Sequence, residues 1–299
     1  MLSILATITL SLKGVGTMGM IASSMGIVAS ELIIGLYLSC KKKTWHSPLL
    51  SKKTPTSFKD TIERLSQEKM HQEIHGVYVL SNESGIKNTI QFIEKEPPPP
   101  TNQLSCHVGL SGLHNFDIIA ARRSHHAVII DFNSFNKKFI NECLKILNKS
   151  NTNEDFVKKI CKHMELDPKR YNHYQGDSSP ICRMKAEIDR PSSWLWKEDQ
   201  TGKFEYIKTL AREEKIVPIT GDFRQLETCK DLVKNLNKFN CPIDTLYLSN
   251  LHSYLSNDEF DTMLAILRSS VPLVIHCTPP KECTCKHGCQ CAKVQHIYR

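Results

Sequence analysis

The sequence predicts an α/β fold, a doubly wound, mainly parallel sheet with helices on both faces. Short apolar runs of strand length recur at Leu104–Val108, Ala127–Ile130, Lys215–Thr220, Thr245–Leu248 and Val271–His276. Between them lie stretches with helical spacing, the clearest being Leu226, Cys229, Leu232, Val233, Leu236 and Phe239 on one face. Glycine or polar residues close each strand: Gly109 to Gly112, Asp131, Gly221-Asp222 and Ser249-Asn250. Strands alternating with helices imply a parallel sheet, with ligands bound beyond the strands' carboxyl ends.

The chain is organised around Leu104 to Asn133. An apolar run meets Gly109-Leu110-Ser111-Gly112, then come about ten residues with helical spacing (Phe116, Ile119, Ala120), then a second apolar run closed by Asp131. This is a βαβ unit of nucleotide-binding type. Its glycines let a ligand approach the backbone where the next helix presents unpaired N–H groups, and an acid about 20 residues on accepts hydrogen bonds from a ribose. Asp131 has that spacing from Gly109. The turn is a GxxG and not a full GxGxxG, so a buried unit whose glycines only permit a turn stays open beside the ligand reading.

With 299 residues, 40% hydrophobic and 23% charged, the chain can bury one large domain plus appendages. The net charge of +8 is scattered apart from Lys41-Lys42-Lys43 and Arg122-Arg123, which reads as a solvated surface. No zinc-finger, helix-turn-helix or RNP pattern points to a nucleic-acid reader.

Residues 1–43 are expected to be a hydrophobic membrane-anchor segment. Gly14 to Ser39 carries a single charge, Glu31, and is followed by Cys40 and three lysines, which is long enough for a helix across a bilayer. The lysines place the main domain on the cytosolic side, and residues 14–39 make the membrane a partner. Ala22, Gly26 and Ser30 offer a small-residue stripe for helix pairing. A segment buried as a helical hairpin is the alternative, and a cleaved signal peptide is disfavoured by the missing basic n-region.

Residues 44–57 are polar and read as a linker. Residues 58–100 form an N-terminal extension packing on the core: a helix over Phe58–Lys69, a strand over Gly76–Leu80, a helix over Ile86–Ile93, and a proline spacer, Pro97 to Pro100. The core spans 101–299. After Asp131, helices around Phe135–Ile146 and Phe156–Met164 open a helical insertion, 150–213, with a loop from Asp167 to Ser193 and a helical run from Trp194 to Ala211. Ser256 and Glu259 make a capping box that opens a helix with Phe260, Met263, Leu264 and Leu267.

This order resembles the core of the class I S-adenosylmethionine-dependent methyltransferases, a Rossmann-like family, from about Leu104 to the C-terminus. The resemblance implies S-adenosylmethionine as cofactor. It places Gly109, Leu110, Ser111 and Gly112 against the methionine part, Asp131 on the ribose hydroxyls, and Asp222 on the adenine amino group. Phe223 is then available to pack on the ring. The loop after the fourth strand, from Ser249 through Asn250 and His252 to Tyr254, faces the methyl acceptor. There Asn250 orients an amide or amine and His252 takes a proton from the acceptor, while a surface histidine is the plainer reading of His252. Asn250 lacks the Pro-Pro-aromatic signature of many amino-group methylators, so the acceptor class stays open.

Among twelve cysteines, Cys106, Cys143, Cys161, Cys229 and Cys241 lie in apolar runs and read as small core residues. Cys277, Cys283, Cys285, Cys289 and Cys291, with His287, belong to a Cys-rich hairpin at 277–291 between runs 271–277 and 292–298. Its two CxC pairs offer four thiolates to zinc, but free thiols at a flexible tip are expected and no metal ligand is assigned. Three functions follow: a membrane-anchored, cytosol-facing methyltransferase or a degraded relative that still binds the cofactor, an NAD-type dinucleotide-binding oxidoreductase, and a non-enzymatic, membrane-tethered interaction module docking through the hairpin.

Overall fold

Five parallel strands and one antiparallel strand make a single sheet: β1 (Cys106–Leu110), β2 (His126–Asp131), β3 (Ile216–Thr220), β4 (Ile243–Ser249), β5 (Leu273–Thr278) and the antiparallel β6 (Val294–Tyr298). Their order is β3-β2-β1-β4-β5-β6, so the chain is Rossmann-like α/β. The structure is a computed structural model that describes residues 57–67, 76–81, 83–100, 102–171, 179–268, 272–278 and 294–298. The chain divides into Met1–Pro55 and Thr56–Arg299, and the second unit holds the sheet.

Strand alternation sorts the core onto two faces. On β2, Ala127 and Ile129 join Phe116, Phe139, Phe156 and Trp194, whereas Val128 and Ile130 join Val108, Val217, Leu232 and Phe260. The first face is covered by α3 (His114–Arg122), α4 (Ser134–Asn148), α5 (Asn153–Glu165), α7 (Pro180–Ala186) and α8 (Lys203–Arg212). A short α6 (Pro168–Tyr171) brings in Tyr171. The second face is covered by α1 (Phe58–Glu63), α9 (Leu226–Lys238) and α10 (Asn257–Leu267). A smaller cluster joins Ile90 and Ile93 of α2 (Ile86–Lys95) to Ile118, Tyr247 and Ile275.

Helix starts follow their caps. Ser57, Asn133, Thr152 and Ser179 each accept from a first-turn N–H, and Ser256 with Glu259 closes the expected capping box. In the insertion, Trp194 is fully buried and meets Phe116 at 5.1 Å, Phe156 at 5.3 Å and Phe204 at 6.0 Å between ring centroids.

Several expected elements are corrected. Gly76–Leu80 does not join the sheet: Val77 N donates to Arg170 O, Tyr78 N to Asn136 Oδ1, and Val79 O accepts from Leu113 N, so its backbone is satisfied by loops and caps. The first helix stops at Glu63, the loop after Asp167 holds α6 and α7, and the run beginning at Trp194 becomes helical only at Lys203.

The transmembrane helix, and the membrane localisation that rested on it, are corrected as well. No helix among the described residues is long and apolar enough to cross a membrane. The longest described helix, α4, has 15 residues and carries Lys137, Lys138 and Lys145. That is about 22 Å of helix against a hydrocarbon layer of about 30 Å. Residues 14–39 and the hairpin tip at 279–293 lie outside the described residues, although β5 and β6 pair antiparallel on either side of that tip.

Candidate functional site

The carboxyl edge of the sheet gathers the polar side chains that the packing leaves over. At the end of β1 the chain turns through Ser111 (φ 37°) and Gly112 (φ 74°) into α3. Asn115 staples this turn. Its Nδ2 donates to the carbonyls of Leu110 (3.1 Å), Ser111 (2.6 Å) and Gly112 (2.9 Å), and its Oδ1 accepts from His107 Nε2 at 2.9 Å. His107 Nδ1 in turn accepts from the Thr245 hydroxyl at 2.8 Å. A Cβ on Gly109 would sit 1.8 Å from Asn115 Oδ1, so the space this glycine frees is filled by Asn115. A Cβ on Gly112 would lie 3.4 Å from Tyr78 O.

The two acids come to neighbouring strand ends. Asp131 closes β2 opposite Thr220, and Gly221 N donates to Asp131 O at 3.0 Å, which sets Asp222 beside it. The Asp131 carboxylate accepts from Asn133 N (2.7 Å) and Asn136 Nδ2 (2.8 Å), and the Ser111 side chain also hydrogen-bonds to it. Burial outweighs these bonds and pushes its pKa up to about 6. Asp222 is held by Arg224, whose Nε lies 2.8 Å and whose guanidinium nitrogen lies 2.6 Å from Oδ2. Phe223 is buried in the core with Cys229 and Leu232, so it cannot serve as an exposed platform. Phe132 is an exposed aromatic ring at this end, with the Arg224 guanidinium 5.8 Å from its centroid, and Tyr78, bonded through its N–H to Asn136, is exposed as well.

The strand order reverses between β1 and β4, and at the end of β4 and the start of β6 a further buried carboxylate stands. Glu83 accepts from the Tyr247 hydroxyl (2.9 Å), Ser249 Oγ (2.6 Å) and Gln295 Nε2 (2.7 Å). Burial works to raise its pKa, and the hydrogen bonds from Cys277, Gln295 and Ser249 overcome it, leaving the carboxyl below its usual value. The network continues inward: Gln295 Nε2 donates to His114 Nε2 (2.9 Å), His114 Nδ1 to Asp117 Oδ2 (3.1 Å), and Arg190 to the same oxygen (2.7 Å). Ser249 holds φ at 49°, in the left-handed region, fixed by this bond to Glu83. Asn250 Oδ1 is 3.5 Å from Ser249 Oγ, whereas His252 packs edge-on against Phe260 with centroids 5.0 Å apart. Among the sequence-predicted residues, Ser249 therefore joins this network, Asn250 touches it through Ser249, and the His252 ring packs on Phe260.

Residues 78–170 and 181–290 match the family described as a domain of unknown function, DUF7790. The chain belongs to this family. No curated protein matches it. The matched residues of this DUF7790 domain hold the turn, Asp131, Asp222, Glu83 and Ser249, while Ser66 and Gln67 precede the match. Those two residues still reach the edge: Gln67 N donates to Thr220 O and Ser66 Oγ accepts from Thr220 N.

Glu83, Asn115, Asn136 and Phe132 are the residues of this edge that sequence spacing does not mark. Only Phe132 had a signal, an aromatic side chain directly after the acid that closes a strand.

Proposed function

We propose that this DUF7790 domain binds S-adenosylmethionine beyond the carboxyl ends of β1, β2 and β3 and delivers its methyl group to an acceptor at the end of β4. One observation carries the reading: the Ser111 turn, Asp131 and Asp222 stand at consecutive, hydrogen-bonded strand ends beside the place where the strand order reverses. The antiparallel β6 after five parallel strands also suits the methyltransferase type of sheet better than an all-parallel dinucleotide fold.

The residues fit a ribose. A carboxylate accepts about four hydrogen bonds. At Asp131 two are fixed by Asn133 N and Asn136 Nδ2, while the Ser111 hydroxyl can rotate away, leaving two for a diol. Asp222 is placed for the adenine amino group, and Phe132 takes over the stacking role that Phe223 cannot fill. The cofactor supplies an already activated methyl group, so the chain's work is alignment. Glu83 fixes Ser249, and Asn250 orients the acceptor.

A second reading, a non-enzymatic interaction module, is favoured by the way Asn115 fills the space over Gly109 and Asn136 caps Asp131. Calorimetric titration of the full chain with S-adenosylmethionine and with NAD separates the readings. S-adenosylmethionine is expected to bind, and Asp131→Ala to weaken it by about tenfold or more through loss of charge-assisted hydrogen bonds. Binding of NAD alone would favour an oxidoreductase, and binding of neither would favour the module.

A further inference from the structure

Three side chains meet at the opposite, amino-terminal end of the sheet, away from every residue of that reading. Cys106 opens β1, His126 opens β2 and Cys241 precedes β4. Parallel pairing sets Cys106 beside His126, and Cys106 N donates to Pro242 O at 2.9 Å. Strand alternation puts Cys106 with Val108 and His126 with Val128, on the face covered by α1. There Cys241 Sγ lies 3.6 Å from His126 Nδ1, and the Cys106 thiol, which donates to His107 O at 3.3 Å, sits next to Cys241 because the Cys106 N–H is bonded to Pro242 O.

The two thiols differ in kind. The neighbouring Cys106 thiol, and after it the imidazole, outweigh burial and lower the Cys241 pKa, whereas burial pushes the Cys106 thiol well up. Both cysteines are buried, and Phe58 of the six-residue α1 covers the cluster with its ring 4.2 Å from that of His126.

We propose that Cys106 and Cys241 form an oxidation site that hydrogen peroxide closes to a disulfide, with Cys241 as the attacking thiol and His126 as its partner. The Cys241 thiolate attacks one peroxide oxygen. An S–O bond forms, the O–O bond breaks, and the departing hydroxide takes a proton to become water, leaving a sulfenic acid. The Cys106 sulfur then attacks Cys241 sulfur. The S–S bond forms, the S–O bond breaks, and hydroxide leaves with the Cys106 proton as a second water. Two thiols are oxidised and one peroxide is reduced to two waters. The product ties the amino ends of β1 and β4, which already share a hydrogen bond at this level.

The test treats the full chain with hydrogen peroxide, blocks remaining thiols, and digests with trypsin without reductant. Peptides 96–122 and 239–268 each hold one cysteine, Cys106 and Cys241, so their linkage is unambiguous by mass spectrometry. The expected result is this linked pair, formed about tenfold more slowly near neutral pH in His126→Gln because less thiolate is present, with oxidation of the exposed Cys182 unchanged. The wild-type chain decides the matter even if the variant fails to fold. A peroxide dose that oxidises Cys182 yet leaves Cys106 and Cys241 as free thiols would overturn the proposal, as would either cysteine linking elsewhere. An unchanged rate in a folded His126→Gln would remove the imidazole from it.

Discussion

His107 and Asp131 show burial acting on neighbouring strands in opposite senses. Burial lowers the His107 pKa to about 4, and the ring is held as a neutral tautomer that donates to Asn115 and accepts from Thr245. Burial raises Asp131 from 3.8 to about 6. Between about pH 4 and 6.5 the unfolded chain carries a proton on His107 that the native state lacks, so stability rises with pH. Between 3.8 and about 6 the native state keeps a proton on Asp131 that the unfolded chain gives up, so stability falls with pH. Each shift amounts to roughly 3 kcal/mol, and in the native sequence they nearly cancel. Removing one uncovers the other. Relative to the unsubstituted chain, His107→Gln is expected to lose stability on going from pH 4 to pH 6, and Asp131→Asn to gain it. Urea denaturation across that range measures both, and parallel stability curves for all three proteins would contradict the assignment.

At the level of elements, strand–turn–helix units were legible because apolar run length, helical spacing and cap residues are local properties. The β1 to β2 unit and the capped α10 fall within about two residues of their expected bounds. Gly76–Leu80 was not legible, since an apolar run does not say whether its N–H groups will meet a strand or a side chain such as Asn136. Gly109 was legible as a special position but for a different reason: nothing in the spacing shows that Asn115 folds back over it. The element-scale expectation follows from that contact. Gly109→Ala drives its Cβ into Asn115, which holds three carbonyls of the turn, and is expected to destabilise the domain by about 3 kcal/mol. Asn115→Ala costs a similar amount by releasing the same bonds. Because both act on one staple, the double variant should cost clearly less than the two single costs added, in a denaturant double-mutant cycle. Simple additivity would separate the glycine from the staple.

At the scale of the whole molecule, the N-terminal extension follows the carboxyl edge of the sheet, a path no sequence pattern reveals because every contact joins residues far apart in the chain. Gln67 meets Thr220 at the end of β3, Tyr78 meets Asn136 after β2, Val79 meets Leu113 after β1, Glu83 meets Ser249 at β4, and Ser84 O accepts from Gln295 N on β6. Each backbone contact is worth about 1 kcal/mol net, so such bonds hold this path loosely. Glu83 differs, because this buried carboxylate accepts from the side chains of Tyr247, Ser249, Gln295 and Cys277, and its removal takes the shared acceptor from all of them. Glu83→Ala is therefore expected to cost about 3 kcal/mol and, more tellingly, to act locally. Native-state hydrogen exchange should quicken at Gln295 N and Leu113 N, the amides bonded to Ser84 and Val79, while Val108 and Val128 in the central strands keep their protection. If the central strands exchange faster in equal measure, Glu83 is a determinant of global stability and not the clamp that fastens the extension across the site.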